Sequence, residues 1–208
     1  MWGLNLPNLL EIALMVVVLF FSVIVHEVAH GYVALLNGDP TAKLSGRITL
    51  NPIPHIDPIG TILLPLLLLA SGARILFGWA RPVPVNPLNY RHLRWGEITV
   101  SASGPLSNLA LAAVFAYILR LGLANPGLSF LAQAGCSINI FLALFNLIPI
   151  PPLDGSHLVA AVLPPRLARL YQYLEPVGFI LILILFYTGV MGMVLMPLYR
   201  RIAIFLLG

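Results

Sequence analysis

The feature that most constrains this chain is an apolar run of bilayer length with ionisable side chains near its end. Residues 9–36 are almost entirely apolar up to Val25, and a helix of that length rises ~42 Å, enough to cross a membrane with tilt. Residues 1–8 carry no basic group, and the run is too long for the apolar core of a signal peptide. We therefore expect a first transmembrane helix that is retained.

The composition predicts a multi-pass integral membrane protein of the cell membrane. Hydrophobic residues make up 60% of the chain and charged residues 9%, whereas soluble chains carry about a quarter charged residues. The net charge of +4 reflects eleven Lys and Arg that are scattered between apolar runs without forming a face or tract, a pattern typical of bilayer-interface anchors and not of a nucleic-acid interface. Cys136 is the single cysteine, so any metal ligands must be His, Asp or Glu.

Turn formers and prolines divide the rest of the apolar sequence into further segments. The fold class we expect is an all-α polytopic membrane protein with about five apolar segments, forming one membrane-embedded domain over residues 1–208. The second segment is only marginally long enough to span, so a re-entrant hairpin is the alternative there. The expected segments are 9–36, 59–70, about 98–121, about 130–150 and about 177–196.

The polar stretch between the first and third segments predicts short irregular or strand-like pieces. Residues 41–50 alternate between apolar and polar side chains, which favours a strand or hairpin arm. Residues 51–58 contain three prolines and should form an ordered turn instead of a helix. His55 and Asp57 in that turn are interpreted as non-catalytic, with a second metal or gate site as the alternative.

The first segment carries a metal-site pattern. His26-Glu27-Val28-Ala29-His30 is H-E-x-x-H, and on a helix the positions i and i+4 place both imidazoles on one face, as a zinc ion requires. Glu27 is rotated ~100° from His26, so it could act as a general base without ligating strongly. Three ionisable groups in a transmembrane segment are costly unless a cation compensates them. The alternative is a satisfied polar cluster between helices.

A third ligand is needed, because catalytic zinc usually has three protein ligands. The best candidate is Asp154, which follows a proline-broken end of the fourth segment at Pro149, Pro151 and Pro152. Irregular backbone at membrane depth is tolerated where it lines a cavity. A solvated Asp at a helix N-terminus is the alternative. His157 could be a ligand or a supporting partner, and it ranks behind Asp154.

Three motifs resemble the site-2 protease family of intramembrane zinc metalloproteases. They are HEVAH in the first segment, SGPLSN in the third and NLIPIPPLDG in the fourth, and their order and separation match. The resemblance implies one Zn²⁺ per chain, held by His26, His30 and Asp154, with Glu27 as the acid/base residue. The chain resembles a minimal-core member, without an inserted PDZ-like domain or an appended nucleotide-sensing domain.

The resemblance also implies that Gly104, Asn108 and Asn146 shape the active site and its substrate cleft. From the residues alone, Gly104 and Asn108 lie four apart on one helix face. Gly104 would permit close packing, and Asn108 would offer an amide to a substrate carbonyl or developing oxyanion. Ordinary helix packing is the alternative for both.

The function expected from these patterns is hydrolysis of peptide bonds in or near transmembrane segments of membrane-protein substrates. A substrate helix has its carbonyls locked in hydrogen bonds, so it must unwind locally before attack. The alternative is a membrane divalent-metal transporter using the same His/Asp cluster. Transport is disfavoured because it needs ligands in series, and segments 59–70 and 177–196 are nearly devoid of polar side chains.

The expected segments impose one geometric condition. If every segment crosses fully, the first and fourth run antiparallel, and Asp154 lies at the opposite membrane face from His30. Either residues 59–70 re-enter, or the fourth segment continues beyond Asp154. The sequence leaves both arrangements open.

Overall fold

The computed structural model describes residues 9–64, 67, 79–122 and 125–208, and within them it contains helices and turns but no β-strand. Two short 3₁₀ turns, Ile53–His55 and Pro87–Asn89, and a π-helical turn, Pro58–Leu63, lie between the first two long helices. The α-helices are α1 Leu9–Leu36, α2 Thr41–Leu44, α3 Leu93–Arg120, α4 Pro126–Asn146, α5 Asp154–Val162, α6 Pro165–Gln172, α7 Glu175–Tyr187 and α8 Val190–Leu207.

Helices α1, α3 and α4 form the bundle that positions the site. Contacts between the two helices pair increasing residue numbers on α1 with decreasing residue numbers on α3. Ser22 and His26 contact Asn108, and His30 contacts Val100. These two helices are therefore antiparallel. Asn139 of α4 contacts both Ser22 and Asn108, which places α4 in the same bundle.

The long connection between α1 and α3 leaves and returns at one end of this bundle. The carbonyl of Asn37, just after α1, accepts a hydrogen bond from the Arg91 N–H at 2.8 Å, and the Asn37 amide donates to Thr99 Oγ1 on α3 at 3.0 Å. Because α4 runs antiparallel to α3, it is parallel to α1 and delivers Asp154 to the level of the histidines. The first and fourth apolar segments are thus parallel, which allows Asp154 and His30 to lie at the same membrane depth. Most of the predicted segment 59–70 beyond Leu64 lies outside the described residues.

The strand predicted at residues 41–50 is wrong. Thr41–Leu44 forms α2 instead, because the Asp39 carboxylate accepts hydrogen bonds from the Thr41 N–H, at 3.1 Å, and from its hydroxyl. Such a carboxylate satisfies N–H groups at the start of a helical turn. Ala42 is fully buried, so local capping and one packed side chain outweigh the alternation. The proline-rich turn after it is ordered, as predicted, and Asp57 caps its helical end by accepting from Gly60 N–H at 2.6 Å.

The predicted single segment 177–196 is two helices. α7 ends at Tyr187 and α8 begins at Val190, because Gly189 adopts φ 76°, a left-handed conformation that glycine takes without strain. Ile182 packs with Met191 and Leu195 across this turn, so α7 and α8 form a hairpin. α8 in turn packs against the α3–α4 core at Ala112, Ala116, Cys136 and Ile140.

Four of the described helices are long and apolar enough to cross a membrane, and a fifth span is formed if the bent pair α6–α7 is counted as one. The four are α1, α3, α4 and α8. This count agrees with the expectation of about five apolar segments. The chain is an all-α integral membrane protein.

Candidate active site

The two histidines of the first motif lie where α1 packs closely against α3. His26 and His30 are one turn apart on α1 and face Gly104 of α3. A Cβ atom at position 104 would overlap both imidazole rings. The glycine therefore allows both rings to occupy the α1–α3 interface.

Asp154 completes a compact group of potential ligands. Its Oδ2 lies 3.1 Å from His26 Nε2 and its Oδ1 lies 3.4 Å from His30 Nε2, while the two Nε2 atoms are 3.0 Å apart. In the described part of the chain, these three residues are the only group of three or more His, Cys, Asp or Glu that could hold a metal ion.

The proline-broken loop before α5 brings Asp154 to this position. Leu153 is buried in the apolar cluster formed by α7 and α8, which anchors the end of the loop. The Tyr171 hydroxyl of α6 donates to the Pro149 carbonyl at 2.7 Å. The helices that follow the loop thus hold it against the bundle, and Asp154 begins α5 beside the imidazoles.

The outer nitrogen of each imidazole has an acceptor as its partner. His26 Nδ1 lies 2.7 Å from Asn108 Oδ1, and His30 Nδ1 lies 2.7 Å from the Val100 carbonyl oxygen. Each Nδ1 must therefore carry the hydrogen, which leaves the Nε2 lone pairs directed into the group.

This donor set fits a bound cation. Two lone pairs and a carboxylate repel one another at such distances unless a positive charge lies among them. Although Asp154 Oδ2 is close to His26 Nε2, no hydrogen lies between them in this tautomer, and Oδ2 is buried without a hydrogen-bond partner. Two imidazole nitrogens and a carboxylate oxygen are ligands that zinc accepts.

Glu27 is adjacent in sequence but is not part of the ligand group. Its Oε2 accepts a hydrogen bond from the Val83 N–H at 2.8 Å. Val83 belongs to the strap, which we define as residues 81–85, Arg-Pro-Val-Pro-Val. Arg47 holds the strap by donating from Nη2 to the Arg81 carbonyl at 2.6 Å and to the Pro82 carbonyl at 3.2 Å.

The contact between the strap and Glu27 was not predicted from the sequence. The signal was present, because Pro82 and Pro84 lack an N–H and favour extended backbone around Val83. What sequence could not supply was the partner, since Glu27 and Val83 are 56 residues apart.

A buried polar network behind His26 was also missed. Asn108 Nδ2 donates to Asn139 Oδ1 at 2.8 Å and to the Ser22 carbonyl at 3.2 Å. Both asparagines are fully buried. The Asn108 amide is therefore directed into the bundle and not toward a substrate carbonyl. Lone polar residues in apolar helices, such as Ser22 and Asn139, were the available signal.

The remaining candidates lie outside the ligand group. Asn146 donates to the Leu142 carbonyl at 2.9 Å, within its own helix. His157 is exposed on α5 and interacts electrostatically with Glu97 of α3. His55 is fully buried and contacts the Thr49 carbonyl through Nε2 at 2.9 Å, so it belongs to the turn.

Relatives of the chain share most of its length. YwhC of Bacillus subtilis, whose name assigns it provisionally to the zinc metalloproteases, is 41% identical over 193 residues, which are 88% of this chain and 84% of YwhC. Rip2 of Mycolicibacterium smegmatis, named in the same way, is 29% identical over 80% of this chain and 64% of its own length. Rip2 of Mycobacterium tuberculosis strain H37Rv, also named in the same way, is 32% identical over 79% of this chain and 63% of its own.

The model of peptidase family M50 matches residues 122–185, which run from α4 through most of α7 and include Asp154. No solved structure matches the chain. The extended similarity to YwhC, the family-model match and the three motifs agree. The chain belongs to peptidase family M50, the site-2 protease family.

Proposed function

We propose that this chain is a zinc metalloprotease that cleaves membrane proteins in or near their transmembrane segments, as a single embedded domain over residues 1–208 in the cell membrane. The observation that carries the proposal is the group of His26, His30 and Asp154 inside a bundle of spanning helices. Family membership and the names of the relatives support the general activity.

The depth of the group supports a substrate within the bilayer. At 1.5 Å per residue, Gly104 lies ~17 Å along α3 from Leu93 and ~24 Å from Arg120. Since a bilayer's hydrocarbon core is ~30 Å thick, a peptide bond that reaches the imidazoles beside Gly104 must enter the membrane region. A helical substrate must unwind there, because its carbonyls are otherwise hydrogen-bonded.

The metal assignment gives each of the three residues one ligand atom. His26 and His30 would bind one Zn²⁺ through Nε2, and Asp154 through a carboxylate oxygen. Bound zinc supplies Lewis acidity, which makes water a nucleophile near neutral pH and polarises a carbonyl. The hydrogen bonds at the two Nδ1 atoms keep both Nε2 lone pairs available.

Glu27 is the residue we assign to proton transfer. It takes a proton from the attacking water and returns it to the leaving amine. The Val83 N–H engages one carboxylate oxygen, which orients the side chain and leaves the other oxygen for the proton. Helical geometry keeps Glu27 beside the ligands without adding it to them.

Transport of a divalent metal is not favoured. A transport path needs successive ligand sites across the bilayer, and the described residues contain one group of this kind. A carboxylate base beside two ligands has an evident use in hydrolysis and none in passing an ion along.

The test compares purified wild type with Glu27→Gln in detergent, using zinc content and cleavage of single-span membrane peptides. Glu175→Gln, an exposed carboxylate on α7, is the matched control. We expect about one zinc per chain in all three proteins and cleavage by wild type and Glu175→Gln only. Cleavage by Glu27→Gln at the wild-type rate would refute the base assignment. Zinc binding by wild type without cleavage of any peptide would contradict the protease assignment and favour a liposome transport assay.

A further inference from the structure

The network behind His26 ends at a group that can only accept hydrogen bonds, the Gly135 carbonyl. Asn139 Nδ2 donates to the Gly135 carbonyl at 2.8 Å and to Ser22 Oγ at 2.8 Å. A backbone carbonyl only accepts hydrogen bonds, so the Asn139 amide nitrogen must face Gly135. Asn139 Oδ1 is thereby turned toward α3, where it accepts from Asn108.

The orientation of Asn139 sets that of Asn108. Asn108 must present Nδ2 to the Asn139 oxygen at 2.8 Å, and its own Oδ1 then faces His26 Nδ1 at 2.7 Å. The other acceptor for Asn108 Nδ2, the Ser22 carbonyl, is more distant at 3.2 Å. Asn139 is thus the stronger of the two determinants.

The orientation of Asn108 decides which nitrogen of His26 is free. If the Asn108 amide were reversed, its NH₂ would face Nδ1, the imidazole would carry its hydrogen on Nε2, and that atom could not ligate. We call Ser22, Asn108 and Asn139 the relay, and all three side chains are fully buried, at 0% exposure. Water therefore does not compete for their hydrogen bonds.

We propose that Asn139 is a positioning residue of the metal centre, which fixes the metal-binding tautomer of His26 through Asn108. It touches neither metal nor substrate in this assignment. The proposal rests on the proposed function only in that His26 is taken as a ligand. It adds that α4 contributes to the centre twice, directly through the loop carrying Asp154 and at a distance through Asn139.

The experiment measures zinc affinity by competition with a chelator, on full-length protein in detergent, for wild type and Asn139→Leu. Removing a partner that orients a metal ligand typically lowers metal affinity ~10–100-fold, and we expect a loss in that range. Cys136→Ala is the matched control, since Cys136 is fully buried one turn earlier on α4 but outside the relay. We expect its affinity to stay at the wild-type level.

The second readout is the tautomer itself, observed in zinc-free protein with ¹⁵N-labelled histidine. In wild type we expect His26 to carry its hydrogen on Nδ1, and in Asn139→Leu we expect a population with hydrogen on Nε2. Asn139→Asp should restore the wild-type result, because a buried protonated carboxyl offers one acceptor and one donor in place of the amide.

Three outcomes would overturn the proposal: a zinc affinity of Asn139→Leu equal to that of wild type, a loss no larger than that of Cys136→Ala, or an unchanged tautomer. If the leucine variant does not fold, Asn139→Ala, which only removes atoms, is held to the same three criteria. His26→Ala separates the proposals. If that variant also keeps wild-type affinity, the ligand assignment has failed, whereas loss in His26→Ala without loss in Asn139→Leu defeats the relay alone.

Discussion

The carboxylate of Glu27 on α1 and the backbone N–H of Val83 in the strap are joined by a hydrogen bond of 2.8 Å. The first is the proposed base and the second belongs to a stretch that no motif marks. Because Arg47 holds the carbonyls of Arg81 and Pro82, the position of the Val83 N–H is itself restrained from the far side of the strap.

Removing this N–H should slow catalysis while leaving metal binding intact. In Val83→Pro the donor is absent and the extended backbone is retained. We expect kcat to fall ~10–100-fold, as small misplacements of a catalytic group do, with unchanged zinc content. Val83→Ala is the control for the buried side chain, since it keeps the N–H. Equal kcat values in the two variants would show that the hydrogen bond does not orient Glu27.

A side chain at position 104 should destroy the metal centre. In Gly104→Ala the added methyl group overlaps both imidazoles, so His26 and His30 must separate. We expect zinc affinity to fall at least ~10-fold and cleavage to fall with it. Gly192→Ala is the control, because a Cβ there meets nothing within 4 Å and alanine favours a helix. Wild-type affinity in Gly104→Ala would contradict the close packing of α1 on α3.

Asp39 should make the stability of the protein depend on pH in the acid range. Burial alone would raise its pKa, but hydrogen bonds from Asn89, Thr41 and Asn86 outweigh burial and hold the pKa of Asp39 below its ordinary value. Its contribution to stability is therefore complete above the unfolded pKa of ~3.9 and is lost as the pH falls through the folded pKa.

Thermal unfolding of wild type and Asp39→Asn, followed between neutral and acid pH, tests this contribution. At neutral pH we expect Asp39→Asn to be less stable by ~1–3 kcal/mol. The NH₂ group of the new asparagine would face N–H donors from which the Asp39 carboxylate accepts hydrogen bonds. The difference between the two proteins should shrink as the pH falls below ~4. A difference that stays constant with pH would exclude this role for the Asp39 charge.

The two ends of the connection between α1 and α3 should be accessible from the same side of the membrane. Leu44 and Leu88 are exposed, at 82% and 88%, so a cysteine at either position can report sidedness in a Cys136→Ala background. A membrane-impermeant maleimide should label Leu44→Cys and Leu88→Cys from one side and Leu121→Cys from the other. Labelling of positions 44 and 88 from opposite sides would refute the antiparallel arrangement of α1 and α3.

Local patterns in the sequence predicted local features of the structure well. The end of α1 follows from the turn formers after Leu36, and the H-E-x-x-H spacing places His26 and His30 on one face. The proline break predicted an irregular backbone before Asp154. In each case the physical cause lies within a few residues of the feature.

Features that depend on distant partners could not be predicted. The alternation at residues 41–50 was overridden by Asp39, whose carboxylate also accepts from Asn86, far along the chain. Ser22 and Asn139 are 117 residues apart, and neither shows in sequence which polar group it meets. The break at Gly189 was not predicted, because apolar residues continue on both sides of it. Hydropathy does not indicate that a residue adopts a left-handed backbone conformation.

The off-centre depth of the imidazoles along α3 bears on the fate of a cleaved substrate. Gly104 lies about 11 residues from one end of α3 and about 16 from the other, so by the same rise per residue a substrate helix cut at its level would leave at most pieces of those lengths inside the membrane. Both are shorter than the ~20 residues that hold a helix across a bilayer. Under the proposed function, a single cut would leave neither product with a full membrane anchor, and the shorter stub would dissociate first toward the side on which α1 ends.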